Sequence, residues 1–322
     1  AFSDKEAERA AQLDVLSDDW RHAIVSHNND LYYFAAQGSV VRQLTHSPEL
    51  EERLPELNPA GSHVAFVRNN NLWVVDCETT ESKQLTQSGS PELLNGILDW
   101  VYQEELYGRG NFKAFWWSPT GQEIAYLQLD QSPVQHYQVS DSISYRQGLE
   151  DTRYPKAGDP LPTVDVYVIN VASSEQRQID LSRFPDDDRL LARVAWSPTG
   201  ELWLQVLNRV QNKQDLLRVD IQTGSATNVL SETSPGWIEI RGTPEFLPDG
   251  DFLWLSDLPS GRTHLFRFEA ATGKLRQLTR GDWDVDSLLQ LSTDQRTAFV
   301  TGNVSHPTEN QLVAVDVQQG QW

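Results

Sequence analysis

The chain has 322 residues and a formal net charge of −20, and 39% of its residues are hydrophobic. This composition is sufficient for a real core, in two ordinary domains or one large repeat domain, and the charge argues against a nucleic-acid partner because phosphate binding relies on clustered Lys and Arg. The single cysteine, Cys77, excludes an intrachain disulfide and a cysteine-rich zinc site, and its apolar neighbours predict a buried or half-buried thiol.

The first segment, residues 1–19, is predicted to be a short amphipathic helix that forms an end piece, since small apolar residues alternate there with charged ones. It does not have the pattern of a signal peptide, and no stretch of the chain approaches the roughly 18 consecutive apolar residues that a membrane span needs. The sequence contains no methionine, so we expect its start to have been removed by processing or by design.

Residues 20–322 repeat one pattern: a turn rich in Pro and Gly, an alternating strand, a tight polar turn, a second strand and a Gln-Leu-Thr phrase. Spacings of about 40 to 60 residues with period-two strands are typical of the four-stranded blades of a β-propeller. We therefore predict an all-β propeller with about six blade-like units. The Gln-Leu-Thr phrase occurs at 43–45, 84–86 and 277–279, and the turn phrase at 58–61, 117–121, 196–200 and 247–250.

Two segments interrupt the repeat and are predicted to be insertions, at about 87–112 and 130–163. The first is rich in aromatic and acidic residues, and the second is polar and rich in Pro and Gly. Insertions in repeat proteins tend to carry the binding function. We therefore expect these segments to contain the functional residues.

The first insertion contains two adjacent acids, Glu104 and Glu105, among several aromatic residues. Most such pairs are solvated helix faces. Here Asp99 is predicted to cap a short helical turn, and the aromatic side chains to anchor it. Two carboxylates held side by side repel each other unless one takes up a proton or a cation lies between them. Because an ammonium group donates three hydrogen bonds, the pair is a candidate receptor for a free amine.

The sequence Asp-Trp-Val-Tyr-Gln-Glu-Glu at 99–105, followed by Trp-Trp-Ser-Pro at 116–119, resembles the double-glutamate motif of the dipeptidyl peptidase IV family, which are prolyl-oligopeptidase-like serine peptidases. Gln103 departs from members that carry a third acid there, which leaves the pair intact. The resemblance covers roughly residues 40–317 and implies that the chain is a fragment of an eight-bladed propeller. Further similar segments lie, in the order of the family, at 154–158, 162–164, 166–170, 209–212, 236–237 and 281–285.

The resemblance implies a role for Glu104 and Glu105. They would grip the free α-amine of a peptide substrate, so that only two residues reach a catalytic serine and dipeptides of the X-Pro or X-Ala type are released. The family also uses a propeller arginine to hold a backbone carbonyl of the substrate. Arg241 and Arg21 are the candidates in this chain, although we expect Arg21 to lie in a blade turn.

The resemblance also implies partners. These are the N-terminus of peptide substrates, the α/β-hydrolase domain of the same full-length chain, and a second copy in a homodimer. The short loops and the lack of further cysteines, relative to animal members, indicate a bacterial source, for which we expect export to the periplasm or cell envelope.

The catalytic residues of such a peptidase are not found in this sequence. The Gly-x-Ser-x-Gly turn that carries the nucleophile does not occur, and we expect the hydrolase domain to lie outside these residues. Ser118 and Ser197 lie in Ser-Pro turns and are predicted to bond to the local backbone. The dispersed histidines predict no metal site, His264 is expected to be a packing residue, the acidic run 186–188 a solvated turn, and no cofactor is expected.

These observations predict the substrate-gating and amine-binding propeller of a dipeptidyl-peptidase-IV-like exopeptidase, itself non-catalytic. Two alternatives remain. One is a non-enzymatic propeller that serves as a protein-interaction platform, because this fold hosts many functions. The other is a relative of the acylaminoacyl peptidases or oligopeptidases, which share the architecture but would not need the paired glutamates.

Overall fold

A computed structural model describes residues 15–17, 19–35, 41–143, 145–258 and 260–322. These residues form twenty-six strands and one short helical segment, as an all-β prediction requires. Within these ranges no helix is long and apolar enough to span a bilayer. Most of the predicted N-terminal helix, residues 1–14, lies outside the described residues. The end of that segment is not helical, because Val15–Leu16 pairs as a strand with residues 23–24.

The described strands fall into two compact units. The first comprises the chain up to Arg189 together with Thr199–Leu202 and Val219–Ala226. The second comprises Leu190–Pro198, Trp203–Arg218 and Thr227–Trp322. Six antiparallel sheets of three to five strands follow one another along the described chain, which confirms the prediction of about six propeller blades.

The first unit contains three of these sheets and a separate hairpin. The first two sheets run in simple sequential order. In the third, Leu93–Asn95 and Phe115–Trp117 pair with opposite halves of the long strand Glu123–Asp130. The strands are β1 (Val15–Leu16), β2 (His22–His27), β3 (Asp30–Ala35) and β4 (Val41–Gln43); β5 (Arg53–Leu57), β6 (His63–Arg68), β7 (Asn71–Asp76) and β8 (Ser82–Gln84); β9 (Leu93–Asn95), β10 (Phe115–Trp117), β11 (Glu123–Asp130), β14 (Thr163–Asn170) and β15 (Gln176–Gln178); and the hairpin β12 (His136–Asp141) and β13 (Gly148–Arg153).

The second unit contains the other three sheets, apart from a few end residues of the first of them. Two have four strands and the last has three described strands, all in sequential order. The strands are β16 (Arg189–Trp196), β17 (Leu202–Asn208), β18 (Lys213–Val219) and β19 (Ala226–Thr233); β20 (Glu245–Phe246), β21 (Phe252–Ser256), β22 (His264–Glu269) and β23 (Lys274–Gln277); and β24 (Val285–Leu291), β25 (Thr297–Gly302) and β26 (Gln311–Asp316).

Asn-Asn turns connect the inner strands of the first two sheets. Asn69 and Asn70 have φ values of 51° and 55°, and they join the closing pair Arg68 and Asn71 of β6 and β7. Two central residues with positive φ define the hairpin turn whose twist matches that of the strands, and asparagine tolerates this conformation better than most residues. Residues 28 and 29 repeat the geometry between β2 and β3.

The Gln-Leu-Thr phrase has a structural role that the sequence did not reveal. The hydroxyl of Thr45 accepts a hydrogen bond of 2.8 Å from the backbone N–H of Leu31, where β3 begins. Thr86 and Thr279 accept the equivalent bonds from Leu72 and Leu265, at 2.9 Å each. All three threonines are buried. The phrase therefore satisfies a buried backbone donor in each of the three sheets that contain it, and an unpaired donor there would cost free energy.

Neighbouring sheets within each unit pack face to face. In the first unit, Ile24 and Leu31 of one sheet share a cluster with Val64 and Phe66 of the next. In the second unit, clusters join the sheet β16–β19 to β20–β23, and β20–β23 to β24–β26. Apolar side chains on both faces of a sheet explain why strands such as Phe252–Ser256 are buried along their whole length.

Candidate functional site

The segment that carries the two acids is a loop closed at its base. Ile97 and Lys113 pair in an antiparallel bridge. Beside it, the N–H of Leu98 donates to the carbonyl oxygen of Phe112 at 2.8 Å. The fifteen residues from 98 to 112 therefore form a loop of the first unit whose two ends are held together at one place.

Asp99 caps the helical segment, as the sequence predicts. Its Oδ1 accepts a hydrogen bond of 3.0 Å from the N–H of Tyr102, and its Oδ2 one of 3.2 Å from that of Val101. The residue is only 4% exposed. Burial raises the pKa of the Asp99 carboxyl above its ordinary value, and the hydrogen bonds from Tyr102 and Val101 act in the opposite direction.

The helical segment itself, Tyr102–Leu106, is a single turn of π-helix. The N–H of Tyr107 reaches back five residues to the carbonyl oxygen of Tyr102 at 2.9 Å. π-Helical turns are rare, and many of those that do occur lie at functional sites. The turn has an inner side, where Tyr102 is fully buried and the side-chain oxygen of buried Gln103 accepts a 2.8 Å hydrogen bond from the N–H of Gly110.

Aromatic rings pack around this turn. The ring centroids of Tyr102 and Tyr107 are 6.4 Å apart, and those of Tyr107 and Trp116 are 6.0 Å apart. Trp116 belongs to strand β10, so the stack joins the loop to the sheet. Together with the Asp99 cap, this packing fixes the backbone from which the two acids project.

Glu104 and Glu105 have different surroundings, although they are adjacent. The Glu104 side chain is 16% exposed, and its Oε1 accepts hydrogen bonds from Nε and Nη2 of Arg109, the former at 2.7 Å. Glu105 is exposed. The pair therefore consists of one carboxylate engaged by an arginine and one that faces solvent.

The base of the loop is held by an ion pair with the neighbouring sheet of the same unit. The Lys113 ammonium group donates to Oε1 of Glu56 in β5, and the indole N–H of Trp117 donates to the backbone oxygen of Glu56 at 3.2 Å. Burial raises the pKa of the Glu56 carboxyl, and the charge and hydrogen bond of Lys113 oppose that rise. The ion pair of Glu56 and Lys113 therefore joins the sheet β5–β8 to the base of the loop that carries the two acids.

The two insertions meet each other, which sequence reasoning did not predict. The rings of Trp100, from the first insertion, and Tyr154, from the second, lie edge to face with centroids 4.4 Å apart. Arg153 adds an ion pair with Glu92 at 3.4 Å. No local sequence signal marks this contact, since the pairs are about 54 and 61 residues apart and each residue has an ordinary side chain for a loop.

The two arginine candidates lie in different units. Arg21 is in the turn between β1 and β2, as expected, with its side chain 68% exposed and its Nε 3.8 Å from Asp19. Arg241 belongs to the second unit and lines a cavity of about 460 Å³ that also presents Asp284, Asp286 and Glu309. Substrate contact by either arginine stays a prediction.

Ser118, His264 and Cys77, which the sequence also singled out, are buried and have structural roles. The hydroxyl of Ser118 accepts a hydrogen bond from the N–H of Glu123 at 3.1 Å, so it bonds the local backbone as predicted. His264 is 1% exposed and its Nδ1 lies 3.2 Å from the Thr279 hydroxyl. Cys77 is 4% exposed, and burial raises the pKa of its thiol to about 12. Such a thiol is not a nucleophile at neutral pH.

The acidic run 186–188 stays a solvated turn, in which Asp186 makes an ion pair of 2.7 Å with Arg189. Within the described ranges, no three His, Cys, Asp or Glu side chains are grouped so that they could hold a metal ion.

Comparison with solved structures supports the fold. The structure matches the crystal structure of Porphyromonas gingivalis dipeptidyl peptidase 4 with a TM-score of 0.84 and 24% sequence identity, over 98% of this chain and 47% of that one.

Comparison of sequences identifies the family. A dipeptidyl peptidase 4 from Arthroderma otae is 32% identical over 274 residues, and one from Trichophyton tonsurans is 30% identical over 273 residues. In each case the match covers 80% of this chain and 34% of the relative, so the chain spans about a third of the length of these proteins. The family model for the dipeptidyl peptidase IV (DPP IV) N-terminal region matches residues 7–322. The chain therefore belongs to the family of dipeptidyl peptidase IV N-terminal regions.

Proposed function

We propose that this chain is the substrate-gating and amine-binding region of a dipeptidyl-peptidase-IV-like serine exopeptidase. In this proposal Glu104 and Glu105 bind the free α-amine of a peptide, and the distance from this site to the catalytic serine limits the product to a dipeptide. The chain itself does not hydrolyse peptides, since the serine, aspartate and histidine would belong to the α/β-hydrolase domain of the full-length protein.

One observation carries the proposal: two adjacent carboxylates project from a turn whose backbone is fixed in a domain of this family. Asp99 caps the turn and Tyr102 is completely buried beneath it. A side chain on a fixed backbone loses less conformational entropy when a ligand binds than one on a mobile loop. An ammonium group can donate to both acids at once, and hydrogen bonds between charged groups are the strong ones.

The net charge of −20 is consistent with this role, because an acidic surface attracts a cationic N-terminus and repels anionic ligands. A peptide whose α-amine is acylated has neither the charge nor the three donors. We therefore expect blocked peptides to be poor ligands.

Kinetics of the full-length protein test the proposal. Glu104→Gln and Glu105→Gln should each raise KM and lower kcat/KM for a dipeptide chromogenic substrate by about ten- to a hundredfold, the effect of losing a hydrogen bond to a charged group. Glu78→Gln, which changes an exposed carboxylate in the turn after β7, is the matched control and should leave both constants unchanged. Wild-type kinetics in both glutamate variants would refute the proposal.

A second candidate, a protein-interaction platform, is favoured by a different observation. The hairpin β12–β13 exposes apolar side chains on one of its faces, Tyr137 at 43% and Val139 at 48%, which are two positions apart in β12. Exposed apolar clusters often mark protein contacts. The same kinetic experiment distinguishes the candidates, because a platform does not need Glu104 or Glu105 for dipeptide release. The exposed apolar side chains of the hairpin would also suit the interface of a homodimer of the peptidase, and such a dimer is compatible with the first proposal.

A further inference from the structure

The ion pair between Arg109 and Glu104 lies inside the proposed amine site. Both Nε and Nη2 of Arg109 donate to the same oxygen, Oε1 of Glu104. This leaves the proposed receptor with a positive group already on one of its two carboxylates. A ligand amine would therefore meet Arg109 before it could contact Oε1 of Glu104.

Arg109 is held only weakly by its surroundings. Its side chain is 86% exposed. It is flanked by Gly108 and Gly110, whose φ values are +96° and +85° and beside which a Cβ would find no atom within 4 Å. With no atom close to either glycine, the exposed arginine side chain has room to rotate. The arginine can thus leave Glu104 by side-chain rotation while Gly110 keeps its hydrogen bond to buried Gln103.

The charge of Arg109 also bears on both acids. The hydrogen bond that Arg109 donates to Glu104 and the charge of Glu104 raise the pKa of the Arg109 guanidinium, and the charge of Glu105 adds to the rise. Two adjacent carboxylates repel each other, and a nearby cation relieves the repulsion. In the absence of a ligand, Arg109 supplies that cation.

We propose that Arg109 is an exchangeable counter-ion of the amine site, which a substrate ammonium group displaces from Glu104 and which returns when the product leaves. This inference rests on the proposed function of Glu104 and Glu105. The exchange conserves charge, because one monovalent cation replaces another on the same carboxylate. A peptide with an acylated N-terminus carries no positive charge at that end and cannot displace the guanidinium there, so Arg109 makes the site selective for free α-amines.

The exchange also affects product release. A released dipeptide keeps the same α-ammonium group as the substrate, so the two carboxylates bind substrate and product alike. An interaction that is equal for bound substrate and transition state lowers KM without raising kcat. Competition from Arg109 weakens this uniform binding, and thereby limits inhibition by the product.

Arg109→Gln in the full-length protein tests the proposal. We expect KM for Gly-Pro-p-nitroanilide and the inhibition constant of the dipeptide Gly-Pro to fall together by about threefold, which is the size of effect expected from removing an exposed ion pair. Arg109→Lys, which keeps the charge but has a different donor geometry, should lie between the variant and the wild type. Arg177→Gln, which breaks an exposed ion pair with Glu175 at 3.4 Å in the same unit, should change neither constant.

The outcomes separate this inference from the proposed function. If the two constants rise in Arg109→Gln, the arginine positions Glu104 and does not compete with the amine, and the inference is wrong. Unchanged constants overturn it as well. In both cases the proposed function still stands if Glu104→Gln and Glu105→Gln weaken substrate binding, and it fails only if those two variants have wild-type kinetics.

Discussion

The two insertions are folded in opposite ways, although both interrupt the same repeat and touch each other. In the first, the side chains that hold the turn in place are buried, with Tyr102 completely buried and Asp99 only 4% exposed. The second forms the hairpin β12–β13, in which every residue of His136–Asp141 is exposed. Tyr137 is 43% exposed there, and Ile143 in the connecting turn is 96% exposed.

This difference shows which of the two segments can position charged groups. A two-stranded hairpin without a packed face is at most marginally stable on its own, so it cannot hold a side chain to a fraction of an ångström. A turn capped by Asp99 and packed on Tyr102 can hold one. This difference supports the proposal that amine binding belongs to the first insertion and a contact surface to the second.

The largest expected effect is on stability. Tyr102→Ala should lower the free energy of unfolding by about 3 to 5 kcal/mol, because it removes a fully buried aromatic ring and leaves a cavity. Urea-induced unfolding followed by tryptophan fluorescence measures the change. Tyr137→Ala, at a partly exposed position of the hairpin, is the control and should cost less than about 1 kcal/mol. Equal losses in the two variants would contradict the contrast between the insertions.

A smaller effect concerns pH. Burial raises the pKa of Asp99 above its value in the unfolded chain, so the folded state binds this proton more tightly. The corresponding stability is fully present below the unfolded pKa of about 3.9 and is lost as the pH rises through the folded pKa. Asp99→Asn removes this contribution, so the free energy of unfolding of the variant should rise relative to that of the wild type as the pH increases through the acidic range.

Urea unfolding at a series of pH values from about 3 to 7 measures this dependence. If Asp99→Asn and the wild type have parallel profiles, the carboxyl of Asp99 does not titrate differently in the folded chain.

Much of the fold could be predicted from the sequence, because each local signal has a local cause. The Asn-Asn turn at 69–70 fixes the hairpin of β6 and β7, and the Pro- and Gly-rich turns mark where strands end. The cap by Asp99 was predictable for the same reason, since it joins residues two and three positions apart. The family motif identified Glu104 and Glu105 as the candidate binding residues.

What the sequence did not reveal depends on contacts between distant residues or on geometry without a pattern. The edge-to-face contact of Trp100 with Tyr154 and the ion pair of Glu56 with Lys113 join positions 54 and 57 residues apart. The pairing of Arg109 with Glu104 spans only five residues, but it depends on the path of a glycine-flanked loop that no periodicity describes. The hydrogen bonds to the threonine hydroxyls of the Gln-Leu-Thr phrase depend on the register of neighbouring strands, which the phrase itself does not specify.

The most direct test of amine recognition is a calorimetric titration of this 322-residue chain with Ala-Pro-Ala and with its N-acetylated form. We expect the chain to bind the free-amine peptide without hydrolysing it, to bind the acetylated peptide at least about tenfold more weakly, and to lose this preference in Glu104→Gln/Glu105→Gln. Equal affinity for the two peptides, or a preference that survives the double substitution, would contradict the account.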